Sequence, residues 1–566
     1  MKKSLAPVLY FAVHYPLRAL TVTLAFLISS VSEGLGVLAL LPLLQLVLGG
    51  EVGRHSKITA LFHQVFDALH LDLTLFNTLT VFTGLIVFKS ITKVAAMYIV
   101  SASAAKITAD FRSRLVEAIM GARWLYFTGK PAGHVSTAIN NEPQQAANCI
   151  VIQCSFIAES LQIVTYLAIA TFISWWVTLA AVVLGGLGTL LLRRVFRKAG
   201  SAGQEQTDTQ KALMANVLDA IKIMKPLRAM AREDRLKPFI HQNIAKLRNA
   251  YKWIVFSPHV IEQSNEVLKV VGLAAGFYIL LDVWGGGLEI LLLLAVVFLR
   301  VLQRLSVLQK NYVIIAAQVP AFTYTLETIT EAESAREQWH GTQVPTFNKG
   351  ITFENVTYRH KDKDIFKNAS FSIPKNGLTM LAGPSGIGKS TLVDLICGLY
   401  DVDQGRILVD GTDLKNLDIA QWRRCIGYVP QDSVLLNDSV RNNITLHDDT
   451  LTDEQIWSAL EKAGASAFVR NMPDKLDSIT GESGGRLSGG QKQRLIIARA
   501  LVRKPDVLIL DEATSGLEDE TEEAIFNALS ELKHNLTIIA IAHDKGLQRY
   551  ADEIYTLENH ILLKAT

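Results

Sequence analysis

At 566 residues the chain has room for several domains of ordinary size. Charged residues make up only 19% of it and the mean hydropathy is +0.25, so a chain that is soluble throughout is excluded. A formal net charge of +3 is too small to argue for a nucleic-acid partner, and the four cysteines, Cys149, Cys154, Cys397 and Cys425, show neither zinc spacing nor a disulfide framework.

The apolar excess lies in the first half. After Lys2 and Lys3, a run too long for a signal peptide predicts a first membrane span over about 19–46, interrupted only by Glu33 and small polar residues. Further spans are expected over about 79–100, 150–174, 177–192, 267–281 and 288–308, six in all. Trp175 and Trp176 mark the reversal between the third and fourth, and Trp284-Gly285-Gly286-Gly287 joins the last two; neither reversal carries Lys or Arg. The polar stretches 106–130 and 193–257 are basic, with Arg112, Arg114, Arg123, Arg193, Arg194, Arg197 and Lys198 among their charges. Basic loops stay on the cytoplasmic side, so both termini are expected in the cytoplasm of an inner, cell-type membrane. Leu213, Val217, Ala220, Ile221 and Met224 recur at helical spacing, which predicts a helix over 212–233 that extends the spans into the cytoplasm.

An acidic run with Glu327, Glu331 and Glu333 gives way to His340-Gly341-Thr342 and then Pro345. The expected division is therefore a helical membrane domain over 1–325, a linker over 326–348, and a soluble domain over 349–566. The last alternates short strands with helices, as α/β domains do.

That domain is organised around Gly383-Pro384-Ser385-Gly386-Ile387-Gly388-Lys389-Ser390-Thr391, which fits the phosphate-binding pattern G-x-x-x-x-G-K-[ST] between a buried strand and a helix. Such a loop turns its N–H groups toward phosphates at a helix N-terminus, Lys389 reaches the β- and γ-phosphates, and Ser390 is placed to ligate magnesium. Val507-Leu508-Ile509-Leu510-Asp511 reads as a buried strand ending in a carboxylate that can hold the magnesium shell, with Glu512 directly after it.

Around these stand Tyr358, Gln431 in Tyr428-Val429-Pro430-Gln431-Asp432, Leu487-Ser488-Gly489-Gly490-Gln491, and His543 in Ile541-Ala542-His543. In order and spacing the set resembles the ATP-binding cassette family, whose signature is the LSGGQ run, and six spans before one cassette resemble its half-size exporters. The resemblance implies an α-helical membrane bundle followed by a P-loop ATPase domain that takes ATP and Mg2+. Tyr358 would stack on adenine, Gln431 would touch magnesium and the attacking water, Glu512 would be the general base, and His543 would contact the γ-phosphate. It further implies two cassettes closing head-to-tail, with Ser488 and its glycines offered to the ATP held by the other subunit.

Some positions depart from the family pattern: Ser483 after Gly481-Glu482, Glu518 after Ser515-Gly516-Leu517, Asp544 after the histidine, and Asn559-His560 near the end. Because Glu512 and the signature are intact, a homodimer is expected, with the consensus half of a heterodimer as the alternative. For the substrate, Lys89 and Lys93 lie one helical turn apart, as do Arg300 and Arg304. Charges inside a span face a cavity or a partner. One reading has them line a cavity for an anionic group, such as the phosphate of a lipid carrier; in this the chain looks similar to lipid-linked oligosaccharide flippases. The other pairs Lys89 with Glu33 and lets the two arginines reach the interface. The expectation is an ATP-driven exporter or flippase in the lipid bilayer. A drug, lipid or peptide exporter with an apolar cavity is the rival, and a cassette ATPase without transport is disfavoured by the spans.

Overall fold

The computed structural model describes residues 5–38, 66, 70, 72, 74–129, 132–173, 175–278, 288–360, 363–513, 519–542, 545–558 and 561–564. It divides into two compact units, Met1–Ala122 with Tyr126–Arg336, and Arg123–Leu125 with Glu337–Thr566.

The first unit is built of helices, chiefly α1 (Ala6–His14), α2 (Pro16–Leu38), α3 (Leu75–Met120), α4 (Glu142–Ile173), α5 (Trp175–Leu191), α6 (Arg193–Lys222), α7 (Lys237–Tyr278) and α8 (Leu288–Ser334). α3 starts where the Thr74 side chain accepts the Asn77 N–H, and no proline interrupts its 46 residues before Gly121. Its buried stripe runs through Ala96, Val100, Ile107, Phe111 and Leu115, packed with Phe26, Ile150 and Phe322. Ile91, Val94 and Tyr98 on other faces of the same helix are exposed, the distribution expected of a helix that meets lipid. Among the described residues three helical stretches are long and apolar enough to cross a membrane, Pro16–Gly36, Leu75–Met120 and Val135–Phe172. A fourth arises if Thr178–Leu191 and Arg193–Lys222, bent by 47°, count as one. The fifth expected span falls on α7 as far as Tyr278 and the sixth on α8, while residues 39–46 of the first, 279–281 of the fifth and the Trp284 to Gly287 reversal lie outside the described residues.

The helix expected over 212–233 is cut short. α6 ends at Lys222, because Ile223 leaves helical geometry (φ −97°, ψ 12°) and Pro226 brings no N–H. A short helix, Met224–Ala229, and a 3-10 turn, Glu233–Arg235, complete the stretch.

The second unit carries two sheets. Strands β1 (Gly350–His360), β2 (Lys363–Pro374), β4 (Gln404–Val409) and β5 (Thr412–Asp413) form an antiparallel sheet in the order β2-β1-β4-β5. Asp410, just after β4, accepts the backbone N–H groups of Asn348, Lys349 and Gly350 and pins the start of β1. The larger sheet orders β10 (Ile561–Lys564), β9 (Glu553–Glu558), β3 (Gly377–Ala382), β8 (Thr537–Ile541), β7 (Val507–Asp511) and β6 (Ile426–Val429). From β9 to β6 all pairings are parallel. Every residue of β7 and β8 is buried, as continuous apolar strands covered on both faces should be. Leu508 and Leu510 join one core while Val507 and Ile509 join the other, so the alternation of the strand feeds both faces. Because the strands run parallel, the ends of β3, β7 and β6 lie at one edge of the sheet, with Asp511 level with Ile541 and Ile541 level with Leu381. Ligands of open parallel sheets bind at that edge.

Candidate nucleotide site and membrane charge cluster

The turn from β3 to α9 (Lys389–Ile396) holds Gly383, Pro384, Ser385, Gly386, Ile387 and Gly388. Gly388 ends the turn at φ +117°, and a Cβ there would lie 2.3 Å from Ile365 Cγ2, so only glycine fits. α9 then begins at Lys389, with Ser390 and Thr391 in its first turn, where the N–H groups of a helix N-terminus and the helix dipole favour an anion. The Lys389 ammonium donates to the carbonyls of Gly383 at 2.8 Å and Pro384 at 3.0 Å. Burial lowers its pKa, while the charges of Glu512 and Asp511 oppose that shift.

At the strand ends the acidic and amide groups gather. Ser390 Oγ donates to Asp511 Oδ1 at 3.1 Å, and Tyr428 Oη donates to Asp511 Oδ2 at the same distance. Burial pushes the Asp511 carboxyl up, against the two hydrogen bonds that lower it. Desolvation of its hydroxyl and the Asp511 charge also hold the Tyr428 phenol protonated far above its usual range. Gln431 Nε2 donates to Glu512 Oε2 at 2.7 Å. Glu512 adopts a left-handed backbone, φ +49°, and its N–H is fixed on the Ile541 carbonyl. A side chain other than glycine at that φ stores strain of the kind found where a group must be aimed.

The signature sits apart, at the start of α10 (Gly489–Leu501). Ser488 caps it: its Oγ accepts the Gln491 N–H while Gln491 Oε1 accepts the Ser488 N–H, a capping box that leaves Ser488 and Gly489 exposed and Gly490 half-buried.

One expectation changes. Tyr358 is only 7% exposed and belongs to the core beneath the antiparallel sheet, its ring 5.6 Å from that of Tyr400. A ring packed on its neighbours has no open face to stack on a base. His360, two residues on along the same face of β1, is half-buried at the strand end, beside a hairpin that reaches Gly388 through Ile365. Strand periodicity could have found it, since i and i+2 share a face and the later residue lies nearer the turn. His543, Asp544, Ser515 to Glu518, and Asn559-His560 lie outside the described residues. Ser483 takes a left-handed conformation, φ +48°, between Glu482 and Gly484.

Of the four basic residues Lys89, Lys93, Arg300 and Arg304, three are paired with carboxylates. Lys89 Nζ lies 2.9 Å from Glu33, Lys93 Nζ lies 3.3 Å from Glu159, and Arg304 spans both carboxylates at 2.8 and 3.0 Å. Tyr166 Oη adds a 2.7 Å hydrogen bond to Glu33. The side chains of Glu33 and Glu159 are 6% and 7% exposed, so each carboxylate is buried and needs its partners. The pairing of Lys89 with Glu33 is thus realised, whereas Arg304 points into the cluster instead of toward an interface. Arg300, one turn away, is exposed. Glu159 and Tyr166 escaped the sequence reading, although an acid inside the expected third span was itself a signal. Three of the cysteines are buried and the fourth is half-buried, all as free thiols.

Comparison with known proteins agrees with both halves. The model of the ABC transporter transmembrane region matches residues 20–281, and that of the ABC transporter matches residues 366–515. The chain is 29% identical over 494 residues to the ATP-dependent lipid A-core flippase of Escherichia coli strain K12, covering 85% of this chain and 84% of that protein. The flippase of the same name from Shigella flexneri matches with the same figures. A solved bacterial Atm1-family ABC exporter with ATP bound covers 96% of this chain and is covered to 95%, with a TM-score of 0.77 at 22% identity, a likeness of fold. The chain belongs to the ATP-binding cassette transporters, as an exporter-type half-transporter: a multi-pass membrane protein whose fused ATPase domain binds and hydrolyses ATP to drive transport.

Proposed function

We propose that two copies of this chain form a homodimeric flippase of the inner membrane, with the ATPase domains in the cytoplasm, that moves an amphipathic lipid with an anionic headgroup. The observation that carries the hydrolytic half is the pair of contacts at the strand ends, Ser390 on Asp511 and Gln431 on Glu512. Each subunit's 383–391 loop would hold one Mg-ATP against Ser488, Gly489, Gly490 and Gln491 of its partner. Glu512 would orient the attacking water and accept its proton, while Gln431 holds that carboxylate in place. Lys389 would turn from the loop carbonyls to the phosphates, and His543 would complete the γ-phosphate contacts. Adenine would stack on His360, whose ring is accessible where that of Tyr358 is not.

The donor set suits magnesium. Ser390 and Asp511 offer hard oxygens 3.1 Å apart, and among the described residues no cluster of three His, Cys, Asp or Glu competes as an all-protein metal cage. Magnesium bound with phosphates needs only one or two such protein ligands, and Gln431 is a third within the same edge. When bound, the ion would neutralise charge that develops on the β- and γ-phosphates.

The substrate reading rests on the membrane cluster and on the relatives, which are named as flippases of a lipid A core. Lys89, Lys93 and Arg304 face two carboxylates, so the cluster keeps one uncompensated positive charge, and Arg300 adds another one turn away. An anionic headgroup would enter at Arg300 and compete with Glu33 and Glu159 for Arg304. The test is ATPase activity in reconstituted bilayers with lipid-linked anionic glycans, phospholipids or cationic drugs. Stimulation by the anionic lipids that is lost in Arg300→Gln/Arg304→Gln while its basal ATPase activity is retained supports the proposal, whereas unchanged transport of such a lipid by that variant refutes it.

A further inference from the structure

The hydrogen bond from Tyr428 to Asp511 has no part in the roles set out above. Tyr428 lies on β6, level with Ile509 of the parallel neighbour β7, and alternate residues of a strand share a face. Its side chain therefore rises on the same face as Ile509 and Asp511, and its hydroxyl reaches Oδ2 at 3.1 Å. On the other side of the carboxylate, Ser390 reaches Oδ1 at 3.1 Å from α9. Asp511 is 7% exposed, and no other hydrogen bond to its side chain is seen among the described residues. Ser390 alone would leave the carboxylate free to rotate about its last torsion. A second donor on the opposite oxygen fixes that plane.

We infer that Tyr428 is a positioning residue, which locks the Asp511 carboxylate in the orientation that receives the magnesium accompanying ATP. The inference rests on the magnesium reading of Ser390 and Asp511 proposed above. Groups that hydrogen-bond a metal-binding carboxylate set its orientation, and their loss characteristically weakens metal affinity by about 10–100-fold. The phenol is well suited, since it donates without adding charge beside the ion.

The experiment is a Mn2+ titration of the full-length chain in lipid nanodiscs with a non-hydrolysable ATP analogue, reading bound Mn2+ by electron paramagnetic resonance. Affinity for the analogue is measured separately in EDTA. Tyr428→Phe is expected to weaken Mn2+ retention by about tenfold, with metal-free affinity and unfolding temperature within error of the unmodified chain. A merely structural tyrosine would lower all three together, and that result overturns the inference, as does Mn2+ affinity changed by less than twofold. Asp511→Asn supplies the second arm. If the phenol acts through this carboxylate, adding Tyr428→Phe to Asp511→Asn produces no further loss; a full further loss would place its action elsewhere and overturn the inference. Should Asp511→Asn itself retain Mn2+ like the unmodified chain, the magnesium reading falls, separately from the role of Tyr428.

Discussion

The nucleotide site and the membrane charge cluster solve the same problem, holding ionised side chains in a fixed arrangement, by opposite means. In the first, one turn of backbone and the ends of three parallel strands bring Lys389, Ser390, Gln431, Asp511 and Glu512 together, and hydrogen bonds of 2.7, 2.8 and 3.1 Å keep the side chains aimed. In the second, Glu33, Lys89, Lys93, Glu159, Tyr166 and Arg304 come from four helices and, among the described residues, pair with one another. A site built on backbone tolerates the loss of one side chain as a structure and fails as a catalyst. A site built of mutually dependent charges loses structure first, because each group removed strands another in low dielectric.

The largest effect separates the two directly. Glu512→Gln is expected to lower ATP hydrolysis by about 10²–10⁴-fold while ATP binding and unfolding temperature stay close to normal, giving a closed, ATP-loaded state. Turnover at the normal rate would remove Glu512 from the role of base. The converse holds in the membrane. Arg304→Gln should cost about 1.5–3 kcal/mol, since Glu33 and Glu159 each lose one charged hydrogen-bond donor and keep, among the described residues, Lys89 with Tyr166 and Lys93 respectively, read as a fall in unfolding temperature in detergent. Neutralising Glu33 and Glu159 to Gln in the same molecule should deepen that loss, because Lys89 and Lys93 then lose their carboxylates. If single and triple variants are equally destabilised, the cluster is not the interdependent unit described here.

A smaller effect probes the signature as a piece of helix. Ser488→Ala removes the cap of α10 and is expected to cost about 1 kcal/mol, whereas Ser488→Gly should cost only a few tenths, as measured by chemical unfolding of the soluble unit's transition. Equal losses would mean that the capping box contributes little. The smallest expected effect lies at Asp410. Burial acts to raise its pKa, but the N–H groups of Lys349, Gly350 and Asn348 and the hydroxyl of Thr346 outweigh it and hold the carboxyl below its ordinary range. A depressed folded-state pKa means stability that is present above the unfolded value of about 3.9 and lost as pH falls through the folded one. The gap in unfolding temperature between the unmodified chain and Asp410→Asn should therefore be constant near neutrality and close below about pH 4; a gap unchanged at low pH would refute it.

The contrast also explains what could be read from the chain beforehand. The 383–391 loop and the capping box Ser488-Gly489-Gly490-Gln491 are local, so spacing alone carries their geometry. Tyr358 misled because a family position is not a surface: whether a strand residue faces a ligand or a core depends on what packs beneath it, here Tyr400. The partner of Lys93 could not be read, since Glu159 lies 66 residues away on another helix and only packing decides which face meets which. The end of α6 was half legible, for Pro226 was in plain view but the break falls at Ile223.

The 46-residue α3 has a mechanical consequence. At 1.5 Å per residue it is a rod of about 70 Å, and a hydrocarbon layer of about 30 Å leaves roughly 40 Å of it outside. With no proline to act as a joint, a tilt of about 10° in the bilayer sweeps the far tip by about 7 Å, more than the ~5.4 Å pitch of a helical turn. Lys89 and Lys93 ride on the same rod as that tip. Any substrate that shifts the lever at the charge cluster must therefore be felt, amplified, at its end.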